Sequence, residues 1–193
     1  MREAVLERTT KETTINVDLS LDKIEDCYIN TGIGFFDHML NLFAFRAGIT
    51  LDVTCNGDLH VDGHHTVEDV GIAIGQTIKK ALGDKKGIVR YGSASLPMDE
   101  ALVHCVLDIS NRGFLVFNAE LPAQKVGEFE TELTEEFFRA VALEAGITLH
   151  INLAYGKNTH HIIEAIFKAF GVALGQAITQ TDSDDIPSTK GVL

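Results

Sequence analysis

Two short stretches hold the residues most able to do chemistry: "HHTVED" at 64–69 and "HHIIEA" at 160–165. Each places two adjacent histidines just ahead of a glutamate: His64 and His65 before Glu68, His160 and His161 before Glu164. Imidazole and carboxylate without a thiolate form a donor set for Mn²⁺, Fe²⁺ or Zn²⁺. Residues three or four apart on a helix share a face. The i, i+3 pairs His65–Glu68 and His161–Glu164 are therefore expected each to grip one ion. His64 and His160 are rotated from them by about 100° and are free to serve a second ion. Several protein ligands with open positions favour six-coordinate Mn²⁺ over tetrahedral Zn²⁺. A lone cluster of this kind can be ordinary polar surface, but two need a cause.

The cause is an internal duplication. "AGITL" occurs at 47–51 and again at 145–149. The same offset sets Asp37-His38 against Glu135-Glu136, so Glu136 is the counterpart of His38. Two pseudo-symmetric ligand sets follow: His38, His65, Glu68 and His160 for one ion, Glu136, His161, Glu164 and His64 for the other. His60, His104 and His150 lie in or beside strands without such partners and read as structural or surface residues.

The elements that must position these residues repeat as well. "TTINVDL", "CYINTG", "ITLDVTC", "ALVHCVLDIS", "FLVFNAEL" and "ITLHINLAYG" read as strands. "FFDHMLNLFAFRAG" and "TEEFFRAVALEAG" have helical spacing, as do the stretches that follow each His-His pair. Each of the latter reaches a Gly-Gln, at 75–76 and 175–176, and the second does so four residues later, which predicts a longer helix. Each half thus has several strands and two helices, with "GDKKG" at 83–87 as the joint. The helices are too apolar to face water and are expected to pack on one another between sheets.

The 193 residues carry a net charge of −12 and are 45% apolar. That balance allows a sizeable core and argues against nucleic-acid or lipid-surface binding. No run reads as long enough to span a membrane, and "MREAVLERTT" lacks the apolar stretch of a signal peptide. The expected compartment is the cytoplasm. Cys27, Cys55 and Cys105 form no Cys-x-x-Cys pair and read as small buried apolar residues.

The chain resembles the imidazoleglycerol-phosphate dehydratases of histidine biosynthesis. The likeness runs through "RTTKETTINV" (8–17), "GIGFFDHML" (32–40), "GDLHVDGHHTVEDVGIAIGQ" (57–76), "LPMDEALVHCVLDIS" (96–110), "NTHHIIEAIFKAF" (158–170) and "DIPSTKGVL" (185–193). It implies an α+β fold of duplicated β-β-α-β-α half-domains, like domain 2 of ribosomal protein S5, with helices between two four-stranded sheets. The division is a first half-repeat at 1–86, a second at 87–180 and a substrate-binding tail at 181–193, in one compact domain. The resemblance also implies a shell of twenty-four copies with active sites between subunits, and two Mn²⁺ per site. The reaction would turn imidazole glycerol phosphate into imidazole acetol phosphate and water through a metal-stabilised imidazolate.

From the same resemblance come the remaining site residues. Glu12 is the proton-transferring carboxylate. Glu164 could act as well as bind metal, and Asp99 is a weaker choice. Arg90, Arg112, Lys168, Ser188, Thr189 and Lys190 would hold the phosphate, with Arg46 as an added contact. Read alone, these would be solvated surface residues, and 182–193 a frayed tail. Two positions depart from the family pattern: Glu136 stands where many relatives have histidine, and "SNRGF" replaces the commoner Gly-Arg-Pro around Arg112. Two other readings fit the clusters: a dinuclear metallohydrolase of a phosphorylated small molecule, and a non-catalytic metal-assembled shell protein.

Overall fold

The computed structural model describes residues 1–193. Strand β1 (Glu3–Thr9) pairs antiparallel with β2 (Thr13–Ser20), and β2 pairs antiparallel with β4 (Thr50–Gly57). The two-residue β3 (Ile29–Asn30) adds parallel to β4, giving the order β1-β2-β4-β3. The second sheet repeats this pattern as β5-β6-β10-β7, built from Tyr91–Met98, Ala101–Asp108, Thr148–Tyr155 and Phe114–Asn118. Helices α1 (Gly34–Ala47), α2 (His64–Leu82), α3 (Leu133–Ala145) and α4 (Thr159–Ile178) lie between the sheets. One hairpin, β8 (Lys125–Val126) with β9 (Phe129–Glu130), belongs to the second half alone.

Alternation explains the strands. Ile15, Val17 and Leu19 of β2 face inward and are buried, while Thr14, Asn16 and Asp18 face out. Val103, Cys105 and Leu107 do the same on β6, and burial pushes the Cys105 thiol up to about 12. Phe36, Phe137 and Phe167 meet in the middle of the helix layer, with ring centroids 5.2–6.5 Å apart.

The helices run side by side in two pairs, α1 with α4 and α2 with α3. In each pair glycine lets the backbones touch. A Cβ at Gly171 would stand 2.6 Å from the Phe43 carbonyl, and one at Gly75 would stand 2.8 Å from Glu144 Cβ and 3.0 Å from the Val141 carbonyl. Phe43 and Val141 sit at matching places in the repeat, so Gly75 corresponds to Gly171 and not to Gly175. The expected longer second helix is corrected on this ground. The two are 19 and 20 residues long, and the shared Gly-Gln is a coincidence of sequence. Gln76 bonds Glu144, whereas Gln176 accepts from the Ser93 amide.

Helix α4 also corrects the expectation that no run is long enough to span a membrane. By length and composition it is, but 72% of its apolar window is buried inside the protein. Its apolar surface forms the core.

Gly171→Ala should lose about 1–3 kcal/mol through overpacking. Gly34→Ala, at a helix position with nothing within 4 Å, should change stability by no more than about 1 kcal/mol. Urea unfolding of both variants checks the pair.

Candidate functional site

The His-His pairs open α2 and α4. Helix α4 is capped by the Asn158 side chain, whereas α2 starts after Gly63 with no side-chain cap and the acceptor comes from the residue before that glycine. Asp62 Oδ1 accepts from the His64 amide at 2.8 Å, and Asn158 Oδ1 accepts from the amides of His160 and His161 at 2.9 and 3.4 Å.

The face-sharing pairs are the i, i+4 ones, which corrects the expected pairing. His160 Nε2 is 3.3 Å from Glu164 Oε2, and His64 Nε2 is 3.7 Å from Glu68 Oε2. At 3.6 residues per turn, i+4 lies about 40° around the helix and i+3 about 60°. His38, from the first turns of α1, completes the first group at 3.9 Å from Glu164 Oε2. One donor atom from each of His38, His160 and Glu164 lies within 4.8 Å of the others. Two ligands at about 2.1 Å from one ion can stand no more than about 4.2 Å apart, so this group fits a metal with small adjustment. Glu164 is buried, and burial pushes its carboxyl up. Lys168 Nζ donates to its Oε1, and with His160 and His38 it outweighs burial and holds the carboxyl below its usual value.

The expected four-residue ligand sets do not form within one chain. His65 turns toward Asp58, with Nδ1–carboxylate distances of 3.0 and 3.2 Å, and its Nε2 lies 3.7 Å from Glu12. His161 turns toward Glu100, with Nδ1 2.7 Å from Oε2, and its Nε2 lies 3.7 Å from Asp99. These hydrogen bonds raise both imidazole pKa values, and the His161 bond, together with the amides of Asn158 and Lys157, brings Glu100 down to about 2. Glu136 faces Arg139 at 3.9 Å on its own helix. Arg46 lies two turns beyond His38, its guanidinium over the Phe45 ring. His104 bonds Ser95 at 2.7 Å on the outer face of the second sheet.

The proposed phosphate residues separate into two places. Arg90, Arg112, Ser188, Thr189 and Lys190 line one open cleft of about 600 Å³. Lys168 is not among them; it lies beside Glu164, with Met98 Sδ 3.5 Å from its Nζ. The tail is tied down rather than frayed. Thr181 bonds the Gly87 carbonyl through its amide and hydroxyl, the Gly87 amide donates to Asp185, and Arg90 Nη1 donates to the Pro187 carbonyl at 2.7 Å. Asp108 grips Arg90 through two contacts of 2.7 and 3.1 Å. Arg90 and Asn111, both lining the cleft, have φ of 78° and 60°, and Asp99 beside His161 has 46°. Left-handed backbone of this kind at non-glycine residues gathers at functional sites.

A family profile described as imidazoleglycerol-phosphate dehydratase matches residues 31–174. The chain belongs to the imidazoleglycerol-phosphate dehydratase family. A relative of that name from Acetivibrio thermocellus is 58% identical over 193 residues, covering 100% of this chain and 99% of its own. Another from Exiguobacterium is 56% identical over 191 residues, 99% of this chain and 98% of its own. Among solved structures, the dehydratase of Staphylococcus aureus superposes with a TM-score of 0.85 at 50% identity, covering 93% of this chain and 99% of that one. The Pyrococcus furiosus enzyme, solved in complex with (S)-C348, gives 0.84 at 37% identity, covering 97% and 100%.

Family membership does not favour the metallohydrolase or the non-catalytic shell. Sequence reasoning on this dehydratase-family chain passed over Asp58 and Glu100. Both stood inside the quoted motifs "GDLHVDGHHT" and "LPMDEAL", and only folding brings them to the histidine rings.

Arg90→Ala should free the tail without unfolding the core. A charge-assisted bond is worth about 1.5–3 kcal/mol, so limited proteolysis should cut residues 181–193 several-fold faster, with the helices unchanged by circular dichroism.

Proposed function

We propose that this chain converts imidazole glycerol phosphate to imidazole acetol phosphate and water as a Mn²⁺-dependent hydro-lyase, with two ions per active site. The observation that carries the reading is the convergence of His38, His160 and Glu164 on one point. Two imidazoles and a carboxylate suit a borderline cation. His64, Glu68, His65, His161 and Glu136 are the remaining donors. Bound manganese would supply a Lewis acid that lowers the pKa of an imidazole N–H.

The rest falls to side chains. Dehydration breaks a C–O bond on the carbon beside the ring and a C–H bond on the next carbon; the enol then becomes the ketone. The C–H proton needs a carboxylate acceptor and the departing hydroxyl needs a proton. Glu12, half exposed beside His65, is the carboxylate we assign to the former. Glu164 is kept ionised by Lys168, which suits a ligand or a base. Arg90, Arg112, Ser188, Thr189 and Lys190 hold the phosphate with cationic and hydroxyl donors.

These groups stand far apart in one copy. The cleft lies beside the end of α4, where the Arg90 amide bonds the Ala177 carbonyl. His160 is at the start of the same helix, about 25 Å away along its axis. A small phosphorylated imidazole cannot span that gap. A working site therefore joins the histidine end of one copy to the tail cleft of another, in keeping with a cytoplasmic assembly of twenty-four copies.

The deciding experiment incubates metal-loaded protein with imidazole glycerol phosphate. The keto product supports the reading, and release of inorganic phosphate overturns it. Chelation should remove turnover and break the assembly into smaller units, read by size-exclusion chromatography. Lys190→Ala should raise KM on the order of tenfold to a hundredfold, with a smaller fall in kcat, since a phosphate contact is shared by ground and transition states. Steady-state kinetics measures it.

A further inference from the structure

We infer that Asp58 and Glu100 are positioning residues that fix the rings of His65 and His161, so that each presents Nε2 to a metal ion. The inference rests on the metal reading above and deepens it.

The observation is the same hydrogen bond made twice by unrelated means. In each half, Nδ1 of the second histidine is held by a carboxylate: Asp58 at 3.0 and 3.2 Å from His65, Glu100 at 2.7 Å from His161. The duplication does not supply this match. Asp58 lies just after β4, and the corresponding place after β10 is Gly156. Glu100 is in the turn between β5 and β6, and its counterpart between β1 and β2 is Glu12. Glu12 faces the other nitrogen of His65, at 3.7 Å. Copying one half onto the other would place neither carboxylate where it is needed. Two separate solutions to one geometric demand point to the demand itself: a ring held at Nδ1 with Nε2 left outward.

The chemistry agrees. A carboxylate that accepts from Nδ1–H fixes the tautomer with its lone pair on Nε2, orients the ring and raises its basicity as a ligand. Glu100 is itself held in place, since its Oε1 accepts from the amides of Lys157 and Asn158 at 3.1 and 2.7 Å. The Asp58 side chain bonds His65 alone, which makes it the cleaner test.

The test titrates full-length, metal-free protein with Mn²⁺ by calorimetry and compares Asp58→Ala, Asp58→Asn, Glu100→Ala and Glu100→Gln with His65→Ala and His161→Ala. The alanine variants of Asp58 and Glu100 should bind Mn²⁺ about 10–100-fold more weakly. The amide variants keep an oxygen acceptor for Nδ1–H and should recover most of that loss. Melting of metal-free Asp58→Ala should stay near that of the unaltered protein, separating positioning from folding. If the histidine variants lose affinity while Asp58→Ala and Glu100→Ala stay within twofold of the unaltered protein, the positioning role is overturned. Unchanged affinity in His65→Ala and His161→Ala overturns this inference, because neither ring is then a ligand, while the group of His38, His160 and Glu164 still carries the metal reading. No Mn²⁺ binding by the unaltered protein overturns the metal reading itself.

Discussion

Everything else in the molecule depends on how closely the helices of each pair can approach. With no side chain at Gly75 and Gly171, α2 lies on the α3 backbone and α4 on that of α1. That contact sets the register of each pair. In the α1–α4 pair, the register brings His38 level with His160 and Glu164, about two to three turns ahead of the glycine. A side chain at either glycine would part the helices or slide them, and a slide of one turn, about 5.4 Å, would strip Glu164 of His38. The tightly packed phenylalanines between the pairs resist that slide, because an interior at crystal-like density has no slack to absorb it.

Charge is handled with similar economy. Glu164 is buried, a position a lone carboxylate avoids, yet three cationic or potentially cationic groups surround it. The outward imidazoles of His65 and His161 each have a carboxylate at one nitrogen and a second one facing the other. In a chain with a net charge of −12, much of the acid around the helix starts has a specific partner.

The parts of this architecture that repeat were legible in the sequence, and the parts that depend on pairing across the fold were not. Both His-His helices, the helices α1 and α3 and most central strands showed in their periodicity. Strand β1 did not, because its third inward position is Arg8, a charge that makes sense only beside Asp69 of α2, 2.8 Å away. Strand β5 hid behind "YGSASLP". Gly92 is required there by the Ala173 carbonyl, and Pro97 is tolerated because β5 is an edge strand. At the candidate site, the residue types were visible but their pairing was not. The choice between His64 and His65 as the partner of Glu68 turns on about 20° of helix rotation and on carboxylates that arrive from distant turns.

The tail has a consequence for the order in which the protein is made. The joint at Gly87 and Ile88 pairs with Gln180, Thr181 and Asp185, and Arg90 reaches Pro187. A nascent chain emerges N-terminal end first. The joint is therefore translated some ninety residues before the segment that closes over it. Until then Arg90 has Asp108 but not the Pro187 carbonyl, and the cleft lacks the wall formed by Ser188, Thr189 and Lys190. The closed cleft is thus the last feature the chain completes, and a truncated or stalled product would have a core and helix ends but an open cleft.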